Sequence, residues 1–295
     1  MKRAMLIINP SSGKEKAPRF KPHAVEVLLR SHDEVIVHET EKEGDAMEFA
    51  RKACLEGFDA VVSMGGDGTI NETINGMSEQ EHRPAMGLIP MGTVNDFARA
   101  LSIPLEPEDA IEILGSNTLK PVDIGKINDR YFMNVLAVGA IAEASYNVSA
   151  QQKTLLGPIA YFVEGLKAFV KKTPFPLVIE HDGGTWNGEA FLMLTALTNS
   201  VGGFESFAPD AEVNDGEFHL FILKNFSFPH ILKIIPKLLK GELKEHDQVD
   251  YIRTSYVKVS SGEELSVNID GDEGEPLPFQ AKVLASHLNI FVPSK

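Results

Sequence analysis

The chain has 295 residues, 43% hydrophobic and 24% charged, with one cysteine and a formal net charge of −14. That size allows one large or two medium domains with cores of their own, and a single cysteine excludes an internal disulfide. The acidic balance argues against a nucleic-acid partner and against general binding to anionic membranes, leaving only local basic surfaces for such contacts. Nine histidines form no HExxH, the lone cysteine allows no CxxC, and no GxSxG elbow occurs, so zinc and serine-hydrolase chemistry lack support. The first apolar run is too short for a secretory leader and no run approaches a membrane span, so a cytoplasmic protein is expected.

Met5 to Asn9 reads as a first strand, delivering Pro10, Ser11, Ser12 and Gly13 into a turn rich in hydrogen-bonding groups. Lys14, Lys16, Arg19 and Lys21 follow as a basic cluster, which reads equally as a phosphate-facing loop or a solvated one. The spacing then predicts a helix over 22–30, a strand over 34–40, and a helix over 45–57 with Cys54 on its apolar face. A strand over 61–64 follows. Strands alternating with helices imply a parallel sheet with right-handed crossovers. Ligands of such sheets bind beyond the carboxyl ends of the strands, where Asn9–Gly13, Thr40–Asp45 and Gly65–Thr69 would converge.

Val61 to Met77 is the stretch on which the rest depends. Gly65, Gly66, Asp67 and Gly68 join a strand to a helix whose core face is Ile70, Ile74 and Met77, leaving Asn71, Glu72 and Asn75 elsewhere. Such a turn lets backbone amides approach a phosphate, and it aims the positive end of a helix at the same place. Asn71 stands where GxGxxG requires its third glycine, so this is no dinucleotide fingerprint. Asp67 would repel phosphate unless a divalent cation or its water lies between, which points to Mg-nucleotide; a capping Asp in a glycine turn is the plainer alternative.

A strand over 86–89 leads into a second small turn, with Gly92, Thr93, Asn95 and Asp96 at a helix start. After a helix near 107–114, Lys120–Asp123 leaves the alternating pattern, and Asp123 is a third carboxylate near a strand end. From Ile124 the texture is β-rich. Hairpin turns are expected at Asn128–Asp129 and His181–Thr185, and strands over 191–197, 218–223, 256–260, 265–270, 282–285 and 288–292. Two helices are expected as well. One over 159–170 is amphipathic; the other carries Lys233, Lys237, Lys240 and Lys244 opposite Ile231, Ile234, Ile235, Leu238 and Leu239, kinked at Pro236. The second could pack on a sheet or lie on a membrane surface. Asn268 to Pro278 delivers Asp270 into an acidic glycine turn, either an exposed hairpin or the site of a general base.

NPSSG at Asn9–Gly13, Thr40 with Gly44 and Asp45, GGDGTINE at Gly65–Glu72, PMGTVNDFAR at Pro90–Arg99, DIG at Asp123–Gly125, APDAEVNDGEF at Ala208–Phe218 and DGD at Asp270–Asp272 together resemble the soluble bacterial diacylglycerol kinase group of lipid kinases, relatives of sphingosine and ceramide kinases. GGDGT alone would be shared with NAD kinases, whereas GTVNDFAR and the late DG turn are those of the lipid enzymes. The fold expected is α/β: an N-terminal nucleotide-binding domain with a parallel sheet, residues 1–124 and, if the last strand returns, 287–295, plus a β-sandwich-like lipid-substrate domain, residues 125–286.

The resemblance implies a nucleotide site of Asn9, Ser12, Thr40, Gly66, Asp67, Thr69 and Thr93, with the motif residues Gly13, Gly65, Gly68, Glu72, Gly92 and Asn95 around it. It implies a network of Asp67, Asp96 and Asp123 about Mg2+ and its waters, and Asp270 as catalytic base. Asp272, counted with the metal-facing acids, stands where the family more often has Glu. Asp215 resembles a structural Mg2+ ligand, partnered by backbone carbonyls near Glu212 and Glu217. The activity implied is transfer of the ATP γ-phosphate to a lipid primary hydroxyl, diacylglycerol first, with phosphatidylglycerol, ceramide or a sphingoid base as alternatives. An NAD kinase and a silent nucleotide-binding regulator are the rivals. A transient, peripheral meeting with lipid at the membrane and a homodimer are the partners expected.

Overall fold

The computed structural model describes residues 1–116, 118–139, 173–203, 207–224, 234, 236–238 and 240–294. It divides into two compact units, Met1–Ile124 with Ser286–Lys295, and Gly125–Ala285.

In the first unit the strands are β1 (Arg3–Ile8), β2 (Glu34–Glu39), β3 (Ala60–Gly65) and β4 (Ala85–Pro90). They pair in the order β2-β1-β3-β4, all parallel, and Ile290 near the end of β16 (Phe279–Phe291) pairs in parallel with Met86. β3 is buried at every residue, the mark of a central strand covered on both faces. Its helices are α1 (Ser12–Glu15), a single turn whose Gly13 and Lys14 are left-handed, then α2 (Ala17–Leu29), α3 (Asp45–Leu55), α4 (Asp67–Met77), α5 (Asp96–Ala100) and α6 (Pro107–Ile113). Ile70, Ile74 and Met77 of α4 are fully buried, as their spacing requires. α2 starts five residues earlier than Pro22 suggests, with a proline in its first turn; Pro22 sits inside, where its missing N–H costs one ladder bond.

The second unit has two sheets. One is antiparallel in the order β12 (Val249–Thr254), β11 (Phe218–Leu223), β10 (Leu192–Ala196), β7 (Val135–Gly139), β14 (Val267–Ile269), β15 (Asp272–Gly274). In the other, the first part of β16 pairs with β13 (Tyr256–Ser260), then β8 (Phe175–His181) and β9 (Gly184–Ala190), all antiparallel. Side chains alternate along β11: Phe218, Leu220 and Ile222 enter the core shared with Val257, Val259, Leu177 and Ile179, while Phe221 and Leu223 enter a second core on the opposite face. That is why β11 reads as a continuous apolar run, and the arrangement is β-sandwich-like.

The hairpin turns at Asn128–Asp129, between β5 (Leu119–Ile127) and β6 (Arg130–Phe132), and at Asp182–Gly183 fall where the sequence puts them. Asp123 lies within β5 rather than near a strand end. The two strands expected over 282–285 and 288–292 are one, β16, carrying left-handed Ser286 in its interior. The helix expected over 159–170 lies outside the described residues, as do residues 230–233, 235 and 239 of the lysine-bearing one. Of the latter, Ile234 and Leu238 are buried in the second core.

Candidate functional site

The site in the first unit is built where β1, β2, β3 and β4 end. An added Cβ at Gly65 would sit 2.5 Å from the Thr69 Cβ, so α4 packs directly on the strand that precedes it. Gly66 is extended and precedes the first residue of α4. At Gly92 an added Cβ would lie 2.6 Å from Asn95 Oδ1 and 3.1 Å from the Gly66 Cα. The two glycine turns are therefore in backbone contact, which any side chain would break.

Polar groups tie these turns together. Asn9 Nδ2 donates to Thr69 Oγ1 at 3.1 Å, and Asn9 Oδ1 accepts the Ser11 N–H at 3.1 Å. Left-handed Asn95 closes its own turn: its Oδ1 accepts from Gly92 N–H at 2.9 Å and its Nδ2 donates to Gly92 O at 3.0 Å. Its backbone N–H donates to Asp67 Oδ2 at 2.9 Å. The second carboxylate oxygen, Asp67 Oδ1, is buried with no hydrogen-bond partner. Burial pushes the Asp67 carboxyl above its ordinary pKa and the charge of Asp96 adds to this, against the Asn95 amide. Asp96 is itself 9% exposed. A buried, partnerless oxygen beside a second acid suits a hard cation or its water, so the residues fit the divalent cation expected from the resemblance. Asp123 is 2% exposed, and its Oδ1 accepts the Ser286 N–H at 2.6 Å.

A cleft of about 460 Å³ opens beside these turns. Of the predicted residues, Asn9, Ser12, Thr40, Gly66, Gly68, Thr69 and Glu72 line it. Gly13, Gly65, Asp67, Gly92, Thr93 and Asn95 do not. Gly13 is left-handed against Met91, and Thr93 is exposed. Ser11, Glu41, Lys42 and Glu43 also line the cleft; none was named as a ligand, but all lie in the Asn9–Gly13 and Thr40–Asp45 turns expected to converge there. The signal available for the last three was their place directly after a parallel strand.

In the second unit, Asp270 is left-handed at the β14–β15 turn. Its Oδ2 accepts from Met133 N–H at 2.7 Å, and its Oδ1 from Asn134 and Val135 N–H at 3.0 and 2.9 Å. Three backbone donors thus fix the carboxylate in place. Asp272 is exposed at the start of β15. Asp215 Oδ1 accepts from Glu217 N–H at 3.0 Å, and its Oδ2 from Glu212 N–H at 3.2 Å and the His219 Nε2 at 2.9 Å. The His219 Nδ1 then takes the Tyr251 hydroxyl at 2.6 Å. Glu212 and Glu217 thus face Asp215 through N–H groups, and the Glu217 carboxylate pairs with Arg253. About one of four acceptor positions on Asp215 is left by these contacts. Among the described residues no three His, Cys, Asp or Glu side chains gather as a metal cluster.

A glycine-turned α/β unit with an acid buried at a helix start, joined to a β-sandwich, defines a phosphotransferase of the kinase class. Residues 3–127 match the family described as the diacylglycerol kinase catalytic domain, and residues 134–292 the YegS C-terminal NAD kinase beta sandwich-like domain. The diacylglycerol kinase of Bacillus subtilis (strain 168) is 40% identical over 299 residues, covering 100% of this chain and 98% of its own. That of Staphylococcus aureus (strain MRSA252) is 40% identical over 293 residues, covering 99% and 93%. A crystal structure of a diacylglycerol kinase from Bacillus anthracis (strain Sterne) superposes with a TM-score of 0.82 at 26% identity, covering 99% of this chain and 97% of that one. Another from the same strain reaches 0.87 at 28% identity, covering 99% and 95%. The chain belongs to the diacylglycerol kinase family, and it is a kinase. Among its described residues no helix is long and apolar enough to cross a membrane.

Proposed function

We propose that this kinase transfers the γ-phosphate of ATP to the primary hydroxyl of diacylglycerol, giving phosphatidic acid, with Mg2+ as the required cation. The observation that carries the reading is the partnerless Asp67 Oδ1, buried at the start of α4 beside the Gly66–Gly68 turn and its cleft. Phosphate oxygens would meet backbone N–H groups at that helix start. Asp67, Asp96 and Asp123 would hold the cation and its waters, and bound Mg2+ supplies charge neutralisation for the phosphates. Asn9, Ser12, Thr40, Thr69 and Glu72 would hold the nucleotide, with Thr93, Gly92, Gly13 and Gly65 shaping the turns behind it.

Asp270 takes the lipid hydroxyl proton as the new O–P bond forms and the bond to the β-phosphate oxygen breaks. In a loose phosphoryl-transfer transition state that proton leaves late, so a positioned carboxylate of modest basicity suffices. The donors from Met133, Asn134 and Val135 supply the positioning. Asp272 extends the acidic edge of the same turn. A structural Mg2+ at Asp215 would take its remaining lone pair together with carbonyl oxygens of Glu212 and Glu217. Residues 1–124 with the returning C-terminal strand serve the nucleotide and residues 125–286 the lipid. The encounter with lipid is peripheral and transient, from the cytoplasm, with a homodimer as the working form.

The test is Mg-dependent transfer of labelled γ-phosphate from ATP to detergent-dispersed diacylglycerol, other hydroxyl lipids and NAD side by side. Labelled phosphatidic acid is expected, reduced by at least about two orders of magnitude in Asp270→Asn. Label in NAD alone would overturn the lipid reading, and near-normal turnover in a folded Asp270→Asn protein would remove Asp270 from the mechanism.

A further inference from the structure

Thr40 to Glu43 form one wall of the cleft, between the end of β2 and left-handed Gly44 at the start of α3. The Thr40 N–H is the last to join the sheet, donating to Ile8 O at 2.8 Å. Beyond it, the Glu41 and Lys42 N–H groups both donate to a single oxygen, Asp45 Oδ2, at 2.7 and 2.9 Å. On the next residue, the Ala46 N–H donates to Glu72 Oε2 at 3.2 Å, which ties the start of α3 to α4. Asp45 is 8% exposed and does not line the cleft.

We infer that Asp45 is a positioning residue of the nucleotide site: its carboxylate folds the Glu41–Lys42 backbone back on itself and so sets the cleft wall before a ligand arrives. The inference rests on the nucleotide reading given above. A wall residue without such an anchor has to be ordered as the ligand binds, which weakens affinity without touching the chemical step. The arrangement favours a charged acceptor: the Glu41 and Lys42 amides hold the Asp45 carboxyl below the usual carboxylate range. A capping side chain would reach forward to amides in the first turn of its own helix, but Asp45 reaches backwards, to amides three and four residues earlier in the chain.

The test uses the full chain, with Mg2+ and a fluorescent N-methylanthraniloyl ATP for binding, steady-state kinetics, and thermal melting as the folding control. Asp45→Ala is expected to raise the nucleotide Kd and KM by about tenfold with kcat within about twofold, the signature of a displaced wall rather than lost chemistry. Asp45→Asn keeps an oxygen acceptor for both amides and is expected to restore most of the affinity. Gly44→Ala gives an independent probe, because an added Cβ there meets nothing within 4 Å and acts only through the left-handed φ of +89°; it too should raise Kd. A folded Asp45→Ala or Gly44→Ala protein with the Kd of the wild type overturns the inference, as does Asp45→Asn behaving like Asp45→Ala. If the wild type itself fails to bind the probe, the nucleotide reading falls and this inference with it.

Discussion

In the proposed role of Asp67 stability and function pull in opposite directions, and Asp67→Asn separates them. The wild-type side chain buries a carboxylate of which Oδ1 has no partner, with Asp96 adding repulsion. A buried polar atom left unsatisfied costs about 1–3 kcal/mol, and more when charged. In the variant the amide oxygen can still accept the Asn95 N–H, while the amide nitrogen takes the place of Oδ1 and forgoes a partner at the lower cost of a neutral group. A net gain of about 1 kcal/mol follows, which for a unit of this size raises Tm by about 3–5 °C.

The sign with pH is fixed by the direction of the shift. A carboxyl whose pKa is raised in the folded state adds most stability when protonated, and loses it as pH rises through that raised pKa. The variant and wild type should therefore melt together in acid and diverge as pH rises towards neutrality. Calorimetry of both proteins in chelator, repeated with added Mg2+, reads this directly. Mg2+ should raise the Tm of the wild type more than that of Asp67→Asn, which keeps only the proposed Asp215 site intact, and turnover should fall at least about a hundredfold. A variant that melts below the wild type in chelator at neutral pH would refute the claim that the carboxylate is held under strain for a cation.

Three further outcomes are expected. Gly76→Ala gains helix propensity of about 1 kcal/mol, but its Cβ would lie 2.2 Å from Met47 O and 3.0 Å from the Ala50 Cβ. Overpacking against backbone dominates, and urea denaturation should show a loss of about 2 kcal/mol; a gain would refute the close α3–α4 crossing. The Cys54 thiol, pushed up to about 11 by burial despite the charge of Arg83, should resist a thiol reagent until the protein is denatured. Asp215→Ala removes the acceptor from fully buried His219 and should cost the second unit about 2–3 kcal/mol. Burial raises the Asp215 carboxyl, but the His219 ring and the Glu212 and Glu217 amides outweigh it and hold the carboxyl below its usual range. Its stabilisation is accordingly present above the ordinary carboxylate pKa and lost as pH falls through the lowered one; a wild-type melting curve insensitive to acid would contradict this.

The glycine turns were legible because their residue types answer local demands: Gly65 and Gly66 leave room that Thr69 and Gly92 fill. The strands of the sandwich were legible where both faces are apolar, as in β11. Ser286 and His287 broke the apolar pattern of β16, so one strand read as two. Glu41, Lys42 and Glu43 look like any solvated charge run, and only the position of their turn after a parallel strand set them apart, without showing which of them face the cleft. Asp270 met the same limit. Its hairpin could be read from Gly271, but its partners at Met133–Val135 lie more than a hundred residues earlier, beyond any local pattern.

Asp123 and Ser286 are joined by a 2.6 Å hydrogen bond, although all of Gly125–Ala285 lies between them in the chain. The first unit is thus interrupted rather than followed by the second. During synthesis β4 emerges long before the Ile290 that pairs with Met86, so one edge of a hydrophobic parallel sheet waits uncovered while the insert is made. Newborn chains pass through a stage with an open strand edge. Cleavage anywhere in residues 125–285 would leave that edge dependent on a fragment held only by non-covalent contacts.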